Sequence, residues 1–160
     1  MLRMFSAFIL SLTLGATAFA QSTAVASTLL RLLRFGGFGG MYATYKFREM
    51  GYQIQSFEAG GGLGGVWYWN RYPGARVDLP SIDYSFSFSP EVEQEWTWSE
   101  QFAAQPELLE YINFVAKRLD LNKHFQFNTR ITRAAWDEAR QVWVLKTEQG
   151  QVWEAPYCIM

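Results

Sequence analysis

Residues 106–119 carry the clearest periodic signal in the chain. Leu108, Ile112, Val115 and Leu119 recur at helical spacing and form one apolar stripe. Pro106 opens this segment, Glu107 and Glu110 lie near its start, and Lys117 and Arg118 near its end, as a helix dipole favours. Upstream, the stretch to Met50 predicts another helix, beginning at about Phe38 and closed by Gly51. Gln53 to Phe57 reads as a strand ending in Glu58. Further short strands are predicted at His124–Phe127, Ile131–Asp137, Val142–Thr147 and Val152–Met160. Glu148-Gln149-Gly150-Gln151 is a hairpin turn between the last two.

Thr28 to Phe35 is apolar but interrupted by Arg31 and Arg34. A buried parallel strand should be a nearly unbroken apolar run, so a spacing of three predicts an amphipathic helix here. Residues 59–105 show little periodicity and read mostly as loop. A connection that long in a compact domain is functional or disordered, and its aromatic content argues against disorder. Residues 1–20 stand apart: Arg3, an apolar run from Phe5 to Leu14, then Ala18-Phe19-Ala20. This is the pattern of a secretory signal, and it is too short for a stable membrane span. Residues 21–28 are small and polar and read as a linker, which leaves 29–160 as the folded domain.

Composition narrows the classes. At 160 residues, 49% hydrophobic and 18% charged, the chain is long enough for a globular domain with a core. A net charge of −1 offers no electrostatic reason for a nucleic-acid partner. The single Cys158 allows no intrachain disulfide, and with the single His124 it argues against a His/Cys zinc site. Cys158 reads as an inert core thiol and His124 as a surface or loop residue. Seven Trp fit either a site for an aromatic ligand or an aromatic core.

Two glycine clusters carry the candidate chemistry. Phe35, Gly37 and Gly40 occupy the frame of a G-x-G-x-x-G fingerprint, with Gly39 beside them and Glu58 at the spacing of a ribose-binding acid. Such a loop places a pyrophosphate on a helix N-terminus. The first position is Phe rather than Gly, and Phe resists the backbone geometry of a tight turn. The second cluster leads through Gly64-Gly65-Val66-Trp67-Tyr68-Trp69 to Tyr72-Pro73-Gly74 and Asp78. Tyr and Trp combine large apolar faces with polar tips, and paired glycines let a backbone approach a bulky group. The run reads as a wall for a large flat ligand, with core packing as the alternative.

These motifs closely resemble Baeyer–Villiger monooxygenases of the cyclohexanone and phenylacetone type, within the flavin-containing monooxygenase superfamily. The resemblance extends from about Gly36 to Met160. It implies an α/β fold: part of a Rossmann-like FAD-binding domain of the two-dinucleotide-binding-domain flavoprotein type, with a small β-meander. By that resemblance Gly37, Gly39, Gly40 and Glu58 would hold the dinucleotide. Gly64, Gly65, Val66, Trp67 and Trp69 would lie near the flavin. Asp78 and Tyr84 would support the reaction centre, Asp78 by holding an arginine supplied later in the family's chains. The strand containing Ile131 would face the adenine through its backbone. Gln94 to Glu107, with Trp96 and Trp98, also matches the family and reads as structural. The family has Cys where this chain has Val77.

FAD is the implied cofactor. NADP and a small ketone belong to family regions expected beyond Met160. The implied role is the FAD-binding portion of an NADPH-using monooxygenase, inactive as these 160 residues alone. A non-catalytic flavin- or nucleotide-binding module and a secreted, cofactor-free remnant remain alternatives. The N-terminal pattern suggests export to the periplasm or beyond, whereas the resemblance suggests the cytoplasm.

Overall fold

The computed structural model describes residues 29–33 and 36–160. The expectations for residues 1–20, for the linker at 21–28 and for Phe35 fall outside them. The chain begins with β1 (Leu29–Leu33), enters α1 (Phe38–Glu49) and returns as β2 (Gln53–Phe57). The long connection holds α2 (Val66–Trp69) and α3 (Pro90–Glu95) before α4 (Gln105–Arg118). A 3-10 turn (Asn122–His124) leads into β3 (Phe125–Gln126). Then follow β4 (Ile131–Asp137), β5 (Val142–Thr147), β6 (Val152–Ala155) and β7 (Tyr157–Ile159).

Two sheets result. The larger has the order β3–β2–β1–β7 with every neighbouring pair parallel, and the smaller is the antiparallel meander β4–β5–β6. The expected α/β class and the small meander are both present. The helix expected at 28–35 is not: Leu29–Leu33 is the strand β1. Its backbone pairs with Leu29↔Gln53 through Leu33↔Phe57 on one side and with Tyr157–Ile159 on the other. Hydrogen-bonding ladders on both edges override the local spacing of Arg31 and Arg34. The strand expected over Val152–Met160 also splits. Pro156 cannot donate to a ladder, and there the chain leaves the meander at Ala155 and joins the large sheet at Tyr157.

The helices form where their patterns allow. Gly51, at φ 84°, closes α1, and Tyr52 N–H reaches back to Phe47 O at 3.0 Å. Leu108, Ile112, Val115 and Leu119 are all buried, as their stripe predicted, and Tyr111 joins them. Each large apolar side chain buried this way contributes about 1.5–3 kcal/mol. The segment 59–105 is not all loop. Ser89 caps α3 by accepting from Val92 N–H at 3.4 Å, with Pro90 in the first turn. A helix this short shows no period, so only its cap could have announced it.

The main core gathers Met41, Leu63, Phe86, Val92, Tyr111 and Ile112 with their neighbours. A second cluster centres on Phe57 and Leu145 and joins the two sheets. In α1, Thr44 Oγ1 donates to Gly40 O at 2.8 Å and sits 3.0 Å from Ser56 Oγ, which fixes the helix against β2. Among the described residues no helix is long and apolar enough to cross a membrane. None of their His, Cys, Asp and Glu side chains gather into a metal-binding cluster.

Candidate functional site

Successive strands run from β1 outward through β2 to β3, while β7 lies on the other side of β1. In open parallel sheets the crevice outside the strand ends at such a reversal is where ligands bind. Residues 36–40 leave the end of β1 at this place. Gly37 is the N-cap of α1, in extended conformation, and no side chain caps it. The helix ladder begins with Met41 N–H donating to Gly37 O at 3.0 Å. The amides of Phe38, Gly39 and Gly40 therefore have no intrahelical acceptor. No acidic side chain stands in the first turn. An uncapped N-terminus of this kind favours an anion.

Glu58, at the end of β2, is 6% exposed. Its Oε2 accepts from Gly36 N–H at 2.7 Å and its Oε1 from Gly60 N–H at 2.6 Å. Gly64 N–H donates to Gly36 O at 2.6 Å. A Cβ on Gly36 would lie 2.8 Å from Glu58 Oε2, so no larger residue fits without displacing the carboxylate. Gly65 has φ 54°, and a Cβ there would sit 3.0 Å from Gly37 Cα. The two glycine clusters thus meet backbone to backbone, with the carboxylate as a strap between them.

The aromatic run divides. Val66 and Trp69 are each 59% exposed, whereas Trp67 turns inward. Trp67 Nε1 donates to Tyr84 Oη at 3.0 Å, and the two rings meet edge-on at 5.9 Å. Tyr84 also meets Phe38, the first residue of α1, at 5.0 Å. The Gln105 side-chain amide donates to Trp67 O from the start of α4. The expected wall is therefore part core and part surface. Asp78 is exposed, one residue beyond the buried Val77, whose N–H donates to Ala103 O at 3.1 Å. Ile131 opens β4 and packs on the Phe57–Leu145 cluster. It lies close in sequence to Thr129, whose N–H donates to Glu58 O at 2.9 Å.

Three comparisons bear on this arrangement. A family profile described as an NAD(P)-binding Rossmann-like domain matches residues 36–97. A Baeyer–Villiger monooxygenase from Pseudooceanicola batsensis is 39% identical over 124 residues, which are 77% of this chain and 23% of that protein. The solved structure of an oxidized steroid monooxygenase bound to NADP is 49% identical, with a TM-score of 0.78, over 82% of this chain and 25% of that one. The chain is homologous to the N-terminal region of the Baeyer–Villiger monooxygenases. The solved structure of an OTEMO complex with FAD and NADP adds 37% identity and a TM-score of 0.77, over 81% and 25% of the two chains. The chain spans about a quarter of the length of these relatives.

Within this Baeyer–Villiger region the fold brings Gly37, Glu58, Gly64 and Gly65 together and hangs Trp67 and Tyr84 behind them. It keeps Val66, Trp69 and Asp78 at the surface. Sequence reasoning missed Gly36, the contact point of the Glu58 strap, and Gln105, which pins Trp67. Gln105 left one signal in the sequence, a polar residue directly before the proline that opens a helix, and the fold leaves it only 8% exposed. Trp96 and Trp98 pack together at 5.6 Å and against Tyr111, a structural role. Burial pushes the Cys158 thiol up to about 11, consistent with an unreactive group.

His124 is half-buried, and its Nε2 is enclosed without a hydrogen-bond partner among the described residues. Loss of solvent lowers its pKa below the usual 6.5; a backbone hydrogen bond at Ile54 opposes this, and Arg48 and Lys123 add to it. Below pH 6.5 the unfolded chain therefore binds a proton that the folded chain resists, and stability falls as pH falls. The urea midpoint should drop between pH 7 and pH 5.5 and stay flatter in His124→Asn over that range. The carboxylates of Glu95, Asp120 and Asp137, held low mainly by hydrogen bonds from Arg118, Lys123 and Arg140, act only nearer pH 4. Equal slopes in the two proteins would assign the effect elsewhere.

Proposed function

We propose that this chain is the FAD-binding part of an NADPH-using Baeyer–Villiger monooxygenase, an enzyme class that converts a ketone to an ester or lactone. The observation that carries the reading is the cradle in which Gly36, Gly37, Gly64 and Gly65 meet beside the Glu58 carboxylate. A dinucleotide fits the residues present. The uncapped start of α1, with glycines at 37, 39 and 40, suits a pyrophosphate. Glu58 gives one lone pair of each oxygen to a backbone N–H and retains others for ribose hydroxyls. Trp67 and Tyr84 would back the flavin end, with Val66 and Trp69 flanking it. Thr129 to Ile131 would run past the adenine.

Bound FAD, reduced by NADPH, would supply oxygen activation. The chain's own residues bind and orient that cofactor and help exclude water. Asp78 would hold an arginine from another part of the full-length protein. No residue of this chain is assigned to NADP or to the ketone.

The test is an FAD titration followed by quenching of flavin fluorescence. The wild-type chain should bind weakly. Phe35→Gly, which restores bare backbone at the first fingerprint position, should bind at least about tenfold more tightly. Equal affinities would show that Phe35 is tolerated, and absence of binding in both would overturn the FAD reading. The 160-residue polypeptide with added FAD should show no ketone-dependent NADPH oxidation.

A further inference from the structure

We propose that Tyr68 is the template around which Gly60–Gly65 is folded, and through that segment a positioning residue for the dinucleotide. Only the second half rests on the FAD reading. The evidence is what a side chain would meet at each glycine. A Cβ on Gly60 would lie 2.9 Å from Tyr68 Cε1, on Gly61 3.1 Å from the hydroxyl, and on Gly62 3.3 Å from Cε2. On Gly64 it would lie 2.8 Å from Tyr68 Cβ. The backbone thus passes along one edge of the ring, around its hydroxyl and back along the other edge.

Of these four, Gly64 alone has a positive φ, 142°. At Gly60, Gly61 and Gly62 the backbone conformation is open to any residue, and the need for glycine is spatial. The bulky partner that these glycines accommodate is the chain's own tyrosine. Gly61 N–H also donates to the Tyr68 hydroxyl at 3.1 Å. From outside, the Arg71 guanidinium lies 5.1 Å from the ring centroid, and Arg71 Nε donates to Tyr68 O at 2.9 Å. Trp69 meets the ring edge-on at 5.0 Å.

The segment wrapped in this way begins at the Glu58–Gly60 hydrogen bond and ends at the Gly65–Gly37 contact. The tyrosine ring therefore sets the distance between the carboxylate and the second glycine pair. A run this rich in glycine has high conformational entropy when nothing occupies its centre. Removing the ring should release the segment while leaving the two sheets and α4 in place.

The test compares Tyr68→Phe, Tyr68→Leu and Tyr68→Ala in the full 160-residue chain. Amide hydrogen exchange over residues 60–65 is read without ligand, and FAD affinity is read separately. Tyr68→Ala should speed exchange in this segment at least about tenfold and weaken FAD binding by a similar factor. Tyr68→Phe loses one exposed hydrogen bond and should restore both readouts to within about threefold of wild type. Tyr68→Leu keeps bulk near Cβ, so it serves if the alanine variant fails to fold, and should lie between the two. Unchanged exchange in the smallest variant that folds would overturn the template role. Faster exchange with unchanged FAD affinity would overturn the positioning role. If neither wild type nor Phe35→Gly binds FAD, the FAD reading and the positioning role fall together, and exchange alone still judges the template.

Discussion

Glu58→Ala should destabilise the domain by about 3–5 kcal/mol, a large share of the 5–15 kcal/mol that holds a typical domain together. The carboxylate is buried, and each of its oxygens accepts from a backbone amide, Gly36 at 2.7 Å and Gly60 at 2.6 Å. Truncation leaves both amides enclosed without an acceptor, at about 1–3 kcal/mol each, and opens a void under the glycine loop. Glu58→Gln separates charge from shape. Its amide oxygen can serve one N–H, but its NH2 then faces the other donor, so about half the loss should remain. Urea unfolding followed by tryptophan fluorescence measures both. A loss below about 1 kcal/mol in the alanine variant would mean that water replaces the carboxylate and that the strap is incidental.

Gly64→Ala should cost about 3–5 kcal/mol for two separate reasons. At φ 142° the backbone is in a region that L side chains rarely adopt. The new Cβ would also stand 2.8 Å from Tyr68 Cβ, 2.9 Å from Tyr68 N and 2.9 Å from Leu109 Cδ1. The leucine can turn aside, but the backbone nitrogen of α2 cannot. Gly39→Ala is the matched control. It lies in the first turn of α1 with nothing within 4 Å of its would-be Cβ. There alanine should raise stability by about 0.5–1 kcal/mol through better helix propensity. Thermal or urea unfolding of both variants checks the opposite signs. Equal effects would mean that the domain does not hold Gly64 in this conformation.

How much was legible depended on how local each signal was. The stripe of α4, the cap of α1 and the turn at Gly150 are written in neighbouring residues, and the fold follows them. The spacing from the glycine loop to Glu58 located half of the cradle. β1 was misread because its character comes from β2 and β7, partners far along the chain that no local pattern announces. The short helices α2 and α3 hold too few residues to show a period. Tyr68 was passed over for a similar reason. A glycine records that something is close without naming it, and the sequence offered a cofactor as readily as a neighbouring ring.

The pairing of β1 with β7 also bears on the order of assembly. Leu30 lies opposite Tyr157, so one edge of the strand that carries the glycine loop is completed from near the other end of the described chain. The meander and α4 are built from near neighbours and can form early, whereas this closure must draw in a long intervening loop. On a ribosome the crevice would be framed only once residues up to Ile159 have emerged. Until then β1 presents an open edge, and a dinucleotide that engages the loop at that stage would act as a folding aid as well as a ligand.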